Sequence, residues 1–176
     1  ELINAETNEI KLENDIVLNI ANNEQKTFEN GIEIDRDNLV IDGNGHTIDA
    51  QCLTRIFNCR AENVTMKNIT LKNGFAKRGG AIYNREGELT IIESTLTGNT
   101  SQGNGPSDGG GAIYNMGELT ITGSTLTGNA AQGFATYDDG GGAIYSYGKL
   151  TVTGSTLSGN TAEDEGGAIS NSLGVL

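Results

Sequence analysis

A tandem repeat constrains the fold of this chain more than any other feature. Gly79-Gly80-Ala81-Ile82-Tyr83-Asn84 returns as Gly110-Gly111-Ala112-Ile113-Tyr114-Asn115, as Gly141-Gly142-Ala143-Ile144-Tyr145-Ser146 and as Gly166-Gly167-Ala168-Ile169-Ser170-Asn171, at intervals of 31, 31 and 25 residues. Two further pieces run between these blocks. One is Gly-(Glu/Lys)-Leu-Thr-(Ile/Val), at residues 87–91, 117–121 and 148–152, and the other is Ser-Thr-Leu-(Thr/Ser)-Gly-Asn, ending at Asn99, Asn129 and Asn160. Self-similarity at such a period marks a solenoid, in which each repeat buries its apolar side only by stacking on its neighbours.

Each piece alternates apolar and polar positions over four to six residues, is rich in Ile, Leu and Thr, and is bounded by Gly or Asn. That is a strand pattern with turn punctuation, and no helical period competes with it. The chain is therefore expected to be all-β, with about six coils, three short strands per coil, and neighbouring coils pairing as parallel strands ~4.8 Å apart. Ile82, Ile113, Ile144 and Ile169 would form one inner column, and Leu89, Leu119 and Leu150 another. Residues 63–73 and 39–48 read as degenerate earlier coils. Residues 1–30 lack the repeat and are expected to cap the N-terminal end of a solenoid spanning 31–176, whose last coil reads as incomplete.

Composition removes several functional classes. The formal net charge is −12, so a phosphate backbone or an anionic lipid surface would be repelled, and nucleic acid is excluded as a partner. No apolar run reaches the ~18 to 20 residues needed to span a bilayer, so this segment is expected to make no membrane insertion. The N-terminus also lacks the basic and apolar regions of a signal peptide.

The Gly-Gly-Ala-Ile blocks and their paired Asn motif resemble the repeats of polymorphic outer-membrane-type surface proteins. The wider pattern adds Asn30-Gly-Ile-Glu-Ile34, the run from Asn38 to Asp49, and Arg55-Ile-Phe57, and it is similar to the adhesin-like surface proteins of methanogenic archaea. That resemblance, over roughly residues 30–176, implies a right-handed parallel β-helix of the pectate-lyase-like kind on an extracellular, cell-surface protein. Because the same scaffold carries lyases, hydrolases, esterases and inert stalks, fold alone does not give function.

Several constellations are candidates for chemistry. Tyr83, Tyr114 and Tyr145 fall outward by the two-residue period and would make an exposed aromatic ladder for sugar rings, ended by Ser170, or would simply stack on each other. Asp108, Asp139 and Asp164 fall in one column with Lys77, and carboxylates at coil spacing need a cation; calcium suits such oxygen ligands, although solvated acidic turns would look the same. No motif requires a cofactor. Cys52 and Cys59 are spaced to permit a disulfide, whereas alternation from Phe57 points Cys59 into the core as a small hydrophobe. Asn63 and Asn68 head glycosylation sequons, as does Asn99; Asn99, Asn129 and Asn160 are also placed to form a ladder.

Catalysis needs one irregular cluster of acids and bases, and the repeats instead present Thr, Tyr and Gly at equivalent positions in every coil. The chain is therefore expected not to be an enzyme. It reads as an adhesin-like segment that displays a repetitive face to a glycan or protein of another cell, each coil adding a weak contact to the whole. The rival readings are a polysaccharide-active lyase or hydrolase on the same fold and a structural stalk built by end-to-end self-association.

Overall fold

The computed structural model describes residues 8–19, 30–103, 108–133, 140–163 and 166–172. Its 22 strands form four sheets, and every strand pair is parallel. Sheet A contains β1 (Glu9–Lys11), β4 (Val40–Asp42), β7 (Val64–Lys67), β11 (Glu88–Ile92), β15 (Glu118–Thr122) and β19 (Leu150–Thr153). Sheet B contains β2 (Ile16–Val17), β5 (Thr47–Asp49), β8 (Thr70–Lys72), β12 (Thr95–Thr97), β16 (Thr125–Thr127) and β20 (Thr156–Ser158). Sheet C contains β3 (Ile32–Ile34), β6 (Phe57–Cys59), β10 (Ile82–Asn84), β14 (Ile113–Asn115), β18 (Ile144–Ser146) and β22 (Ile169–Asn171). The molecule is a right-handed parallel β-helix of six coils.

Register explains why these short strands hold. Ile32, Phe57, Ile82, Ile113, Ile144 and Ile169 align in one inner column, and Ile16, Ile48, Leu71, Leu96, Leu126 and Leu157 in another. A one-residue slip in any coil would turn its apolar set outward, so the repeated sequence fixes the pairing. Burial follows position in the stack. Leu96, Ile113 and Leu126 are fully buried, whereas Ile10, Ile16, Leu157 and Ile169 in the end coils are only partly covered. Each fully buried Leu or Ile contributes roughly 1.5 to 3 kcal/mol of transfer free energy.

Two expectations are corrected. The coils of the repeat region carry four strands, not three: β9 (Phe75–Ala76), β13 (Thr100–Gln102), β17 (Ala130–Gln132) and β21 (Thr161–Ala162) form a narrow sheet D directly after the asparagine turns. The inward residues there, Ser101 and Ala131, are small because the glycine pairs of the same solenoid press against this sheet. Gly80 sits against Thr100 and Gly111 against Ala130, where a Cβ would lie 2.5 and 2.6 Å from strand backbone. The second correction concerns the expected cap. Ile10 pairs with Ile41 and Ile16 with Ile48, so the described part of residues 1–30 before residue 20 is already the first coil, stacked in register.

Turns between strands are closed by side chains as well as by glycine. Asn99 Nδ2 donates to Asn129 Oδ1 at 3.0 Å, and Asn129 Nδ2 to Asn160 Oδ1 at 2.9 Å, the ladder expected from the repeat. A second column was not foreseen: Asn84 Nδ2 donates to Asn115 Oδ1 at 2.8 Å, and Asn115 Nδ2 to Ser146 Oγ at 3.0 Å. Asn99 and Asn115 are buried and bonded within their columns, whereas the buried Oδ1 of Asn84, at the N-terminal end of the second column, has no hydrogen-bond partner among the described residues.

Candidate functional site

The outer face of sheet C carries the tyrosine column. Tyr83, Tyr114, Tyr145 and Ser170 are in register, as the period required. Their exposure is not what alternation alone implies: Tyr114 and Tyr145 are 2% and 1% exposed. The expected open ladder is corrected to a covered one, because a second layer lies on this face. A Cβ on Gly109 would sit 3.0 Å from Tyr145 Cδ2, and the Tyr147 ring meets the Tyr114 and Tyr145 rings edge-on at 6.4 and 5.2 Å. Tyr114 and Tyr145 stack at 5.4 Å with planes 13° apart, and burial pushes the Tyr114 phenol well above its usual pKa despite the nearby Arg78. These two rings are a minor core. Tyr83 alone keeps a half-exposed ring, turned edge-on to Tyr114 at 5.1 Å.

A cleft of about 560 Å³ opens at Tyr83, where the column gives way to Asn58 of the preceding coil. Arg55, Lys77, Arg78 and Arg85 all line it. Four of the chain's 11 basic residues thus meet at one place on a protein of net charge −12. They arrive from different turns: Arg55 from the connection between β5 and β6, Lys77 and Arg78 from that between β9 and β10, and Arg85 from just beyond β10. Guanidiniums flank the aromatic ring, with Arg85 Cζ 4.7 Å and Arg55 Cζ 5.2 Å from the Tyr83 centroid. Both contacts are within cation–π range.

The four cations are not equally neutralised. Arg78 Nε donates to Asp108 Oδ1 at 2.5 Å, and although burial opposes its charge, Asp108 holds its pKa above the ordinary arginine value. Arg85 Nε donates to the neutral amide oxygen of Asn58 at 2.9 Å. Arg55 is 6% exposed, and its hydrogen-bond partners among the described residues are all backbone carbonyls: Nε donates to Arg78 and Gly79, Nη1 to Asn30 and Nη2 to Arg78. Burial, reinforced by the Arg85 and Arg78 charges, pushes its pKa down to about 10, so it is still cationic at neutral pH. Carbonyl dipoles partly solvate this ion, but among the described residues it has no carboxylate partner.

The remaining candidates fall elsewhere. Asp108 lies at the cleft, its carboxylate drawn to Arg78; Asp139 and Asp164, the other members of the expected calcium column, lie outside the described residues. Both cysteines are free, which corrects the disulfide alternative: Cys59 faces the core, where burial raises its thiol pKa to about 11, and Cys52 sits in an exposed turn. Asn63 and Asn68 are exposed in turns with φ of 55° and 48° and stay accessible. Asn99 is fully buried in its ladder and unavailable as a glycan acceptor. The cationic cleft itself was missed. Its basic residues lie in turns and at different repeat positions, so the only advance signal was Lys77 opposing the acidic column.

Six parallel coils with amide ladders and a covered tyrosine column define a parallel β-helix repeat protein. The family model of the pectate lyase-like adhesive domain matches residues 1–102, and the chain belongs to that family. The repeat of the Chlamydia polymorphic membrane protein matches residues 154–172, over the last described coil. No curated protein and no solved structure matches the chain.

Proposed function

We propose that this chain is a non-catalytic adhesive module of a cell-surface or outer-membrane protein, extracellular, which binds a glycan of another cell. The observation that carries this reading is the cleft at Tyr83, where a repetitive surface is interrupted by converging polar groups on a rigid scaffold. Rigid strand ends hold such groups in place at little entropic cost on binding. The description of the matched family as adhesive supports the same reading. The composition of the cleft argues against a hydrolase: the one carboxylate among its described lining residues, Asp108, is bound to Arg78, and hydrolysis of a glycosidic bond generally uses two.

The test is incubation of the chain with a panel of cell-wall and host polysaccharides, followed by the size profile of the bound and unbound fractions. Intact polysaccharide retained with the protein is the expected result. Shortened chains would establish an enzyme and overturn the non-catalytic assignment, and no retention across the panel would remove glycan adhesion.

A further inference from the structure

We propose that the cleft at Tyr83 recognises an acidic saccharide, holding a carboxylate or sulfate group of the sugar with Arg85, Lys77 and the free N–H groups of Arg55. This deepens the adhesive reading and rests on it. Charge is the first argument. The described lining carries four cations and one carboxylate, and that carboxylate belongs to Arg78, which leaves Arg55, Lys77 and Arg85 without an anionic partner among the described residues. Like charges this close repel one another, and the Arg85 and Arg78 charges add to burial in lowering the Arg55 pKa. An arriving anion relieves all three at once.

Donor geometry is the second argument. A guanidinium has five N–H bonds. On Arg55 the Nε–H is shared between the Arg78 and Gly79 carbonyls at 3.2 and 3.1 Å, one Nη1–H goes to Asn30 and one Nη2–H to Arg78. One N–H on each terminal nitrogen therefore stays without a partner among the described residues, on a residue that is 6% exposed and lines the cleft. Three carbonyls from two turns fix the plane of this guanidinium, so its two free N–H groups are preorganised for a planar or tetrahedral oxyanion. Lys77 is exposed and Arg85 half-exposed at the same cleft, where they are free to close on the same ligand.

The third argument separates a sugar from an acidic peptide. Peptides are anchored chiefly by apolar and aromatic side chains in desolvated pockets. Ala76 and Tyr83 are the only apolar or aromatic side chains in the described lining, and the Tyr83 ring is already flanked by two guanidiniums. Asn30 and the cations supply hydrogen-bonding groups suited to hydroxyls.

Retention would be measured for hyaluronan against its carboxyl-reduced neutral form, for dextran sulfate against dextran, and for poly-glutamate. Each probe would be tested with the unaltered chain, with a Lys77→Gln/Arg85→Gln variant, and with a Lys11→Gln/Lys149→Gln variant that removes the same charge elsewhere. Because Lys77 and Arg85 are surface groups, circular dichroism of all three proteins should coincide. The expected result is retention of at least one of the two acidic polysaccharides but not its neutral counterpart, weakened about tenfold by the cleft variant and little by the control. Equal retention of acidic and neutral polymers, or equal loss in both variants, would overturn the cleft assignment and leave glycan adhesion standing. Retention of poly-glutamate alone would assign the cleft to an acidic peptide, and retention of nothing would remove the adhesive reading together with this one.

Discussion

Asn129 illustrates how much a single side chain supports in this molecule. Its Oδ1 accepts from both the backbone N–H and the Nδ2 of Asn99, each at 3.0 Å, while its own Nδ2 serves Asn160 Oδ1 and the Leu96 carbonyl. Asn129→Ala would take these partners from the Asn99 backbone N–H and the Leu96 carbonyl of the preceding coil and one donor from Asn160 Oδ1 of the next, at roughly 1 to 3 kcal/mol for each group left unsatisfied. The expected loss is about 3 kcal/mol or more of unfolding free energy, read from the urea midpoint; a loss below about 1 kcal/mol would show that water replaces the amide. This residue was legible beforehand, because an asparagine closes the same piece of every repeat. The direction of Tyr114 was legible too, since period-2 alternation sets which face a side chain takes. Its burial was not, because what covers it lies in turn segments outside the alternating pattern, Arg78 and Tyr147 among them. Arg55 was the least readable of all. Its importance comes from carbonyls of residues 30, 78 and 79, brought together only by stacking.

At the scale of the element, the repeated glycines do two different jobs that sequence cannot separate. Gly111 passes so close to sheet D and the next coil that a Cβ would lie 2.2 Å from the Gly142 carbonyl oxygen and 2.6 Å from Ala130 backbone atoms. Gly128 has open space around it but a φ of +61°. Gly111→Ala should therefore cost more than about 3 kcal/mol, since backbone on two sides must move, while Gly128→Ala should cost only about 1 to 2 kcal/mol for the left-handed conformation. Denaturant titration of both variants checks this, and equal costs would mean that the close approach relaxes without penalty. The same thinness explains why sheet D was read as loop. The strand Ala130–Gln132 has no branched side chain to mark it, and the inward positions of sheet D are the small Ser101 and Ala131. The first coil was hidden for a related reason: Ile10 and Ile16 occupy the right inner positions without any repeat wording around them.

For the whole molecule, stacking makes stability nearly one-dimensional, a sum of coils and the interfaces between them. Deleting residues 119–149 would join Glu118 to Leu150 and restore the sheet A register one coil shorter, because Leu119 and Leu150 are equivalent positions. The shortened chain is expected to stay folded with the same far-ultraviolet dichroism, and its denaturant m-value should fall by about one sixth, in line with the surface it buries. Loss of the β signal would show that the coils are less interchangeable than their register. The asparagine columns add an orientation to this stack. In both, the side-chain amide of each coil donates to the coil on its C-terminal side, from Asn84 to Asn115 to Ser146 and from Asn99 to Asn129 to Asn160. Aligned amides polarise one another. The solenoid thus has an electrical axis as well as a chain direction, and a coil approaching with its axis reversed would meet donor with donor, so only head-to-tail stacking continues the columns.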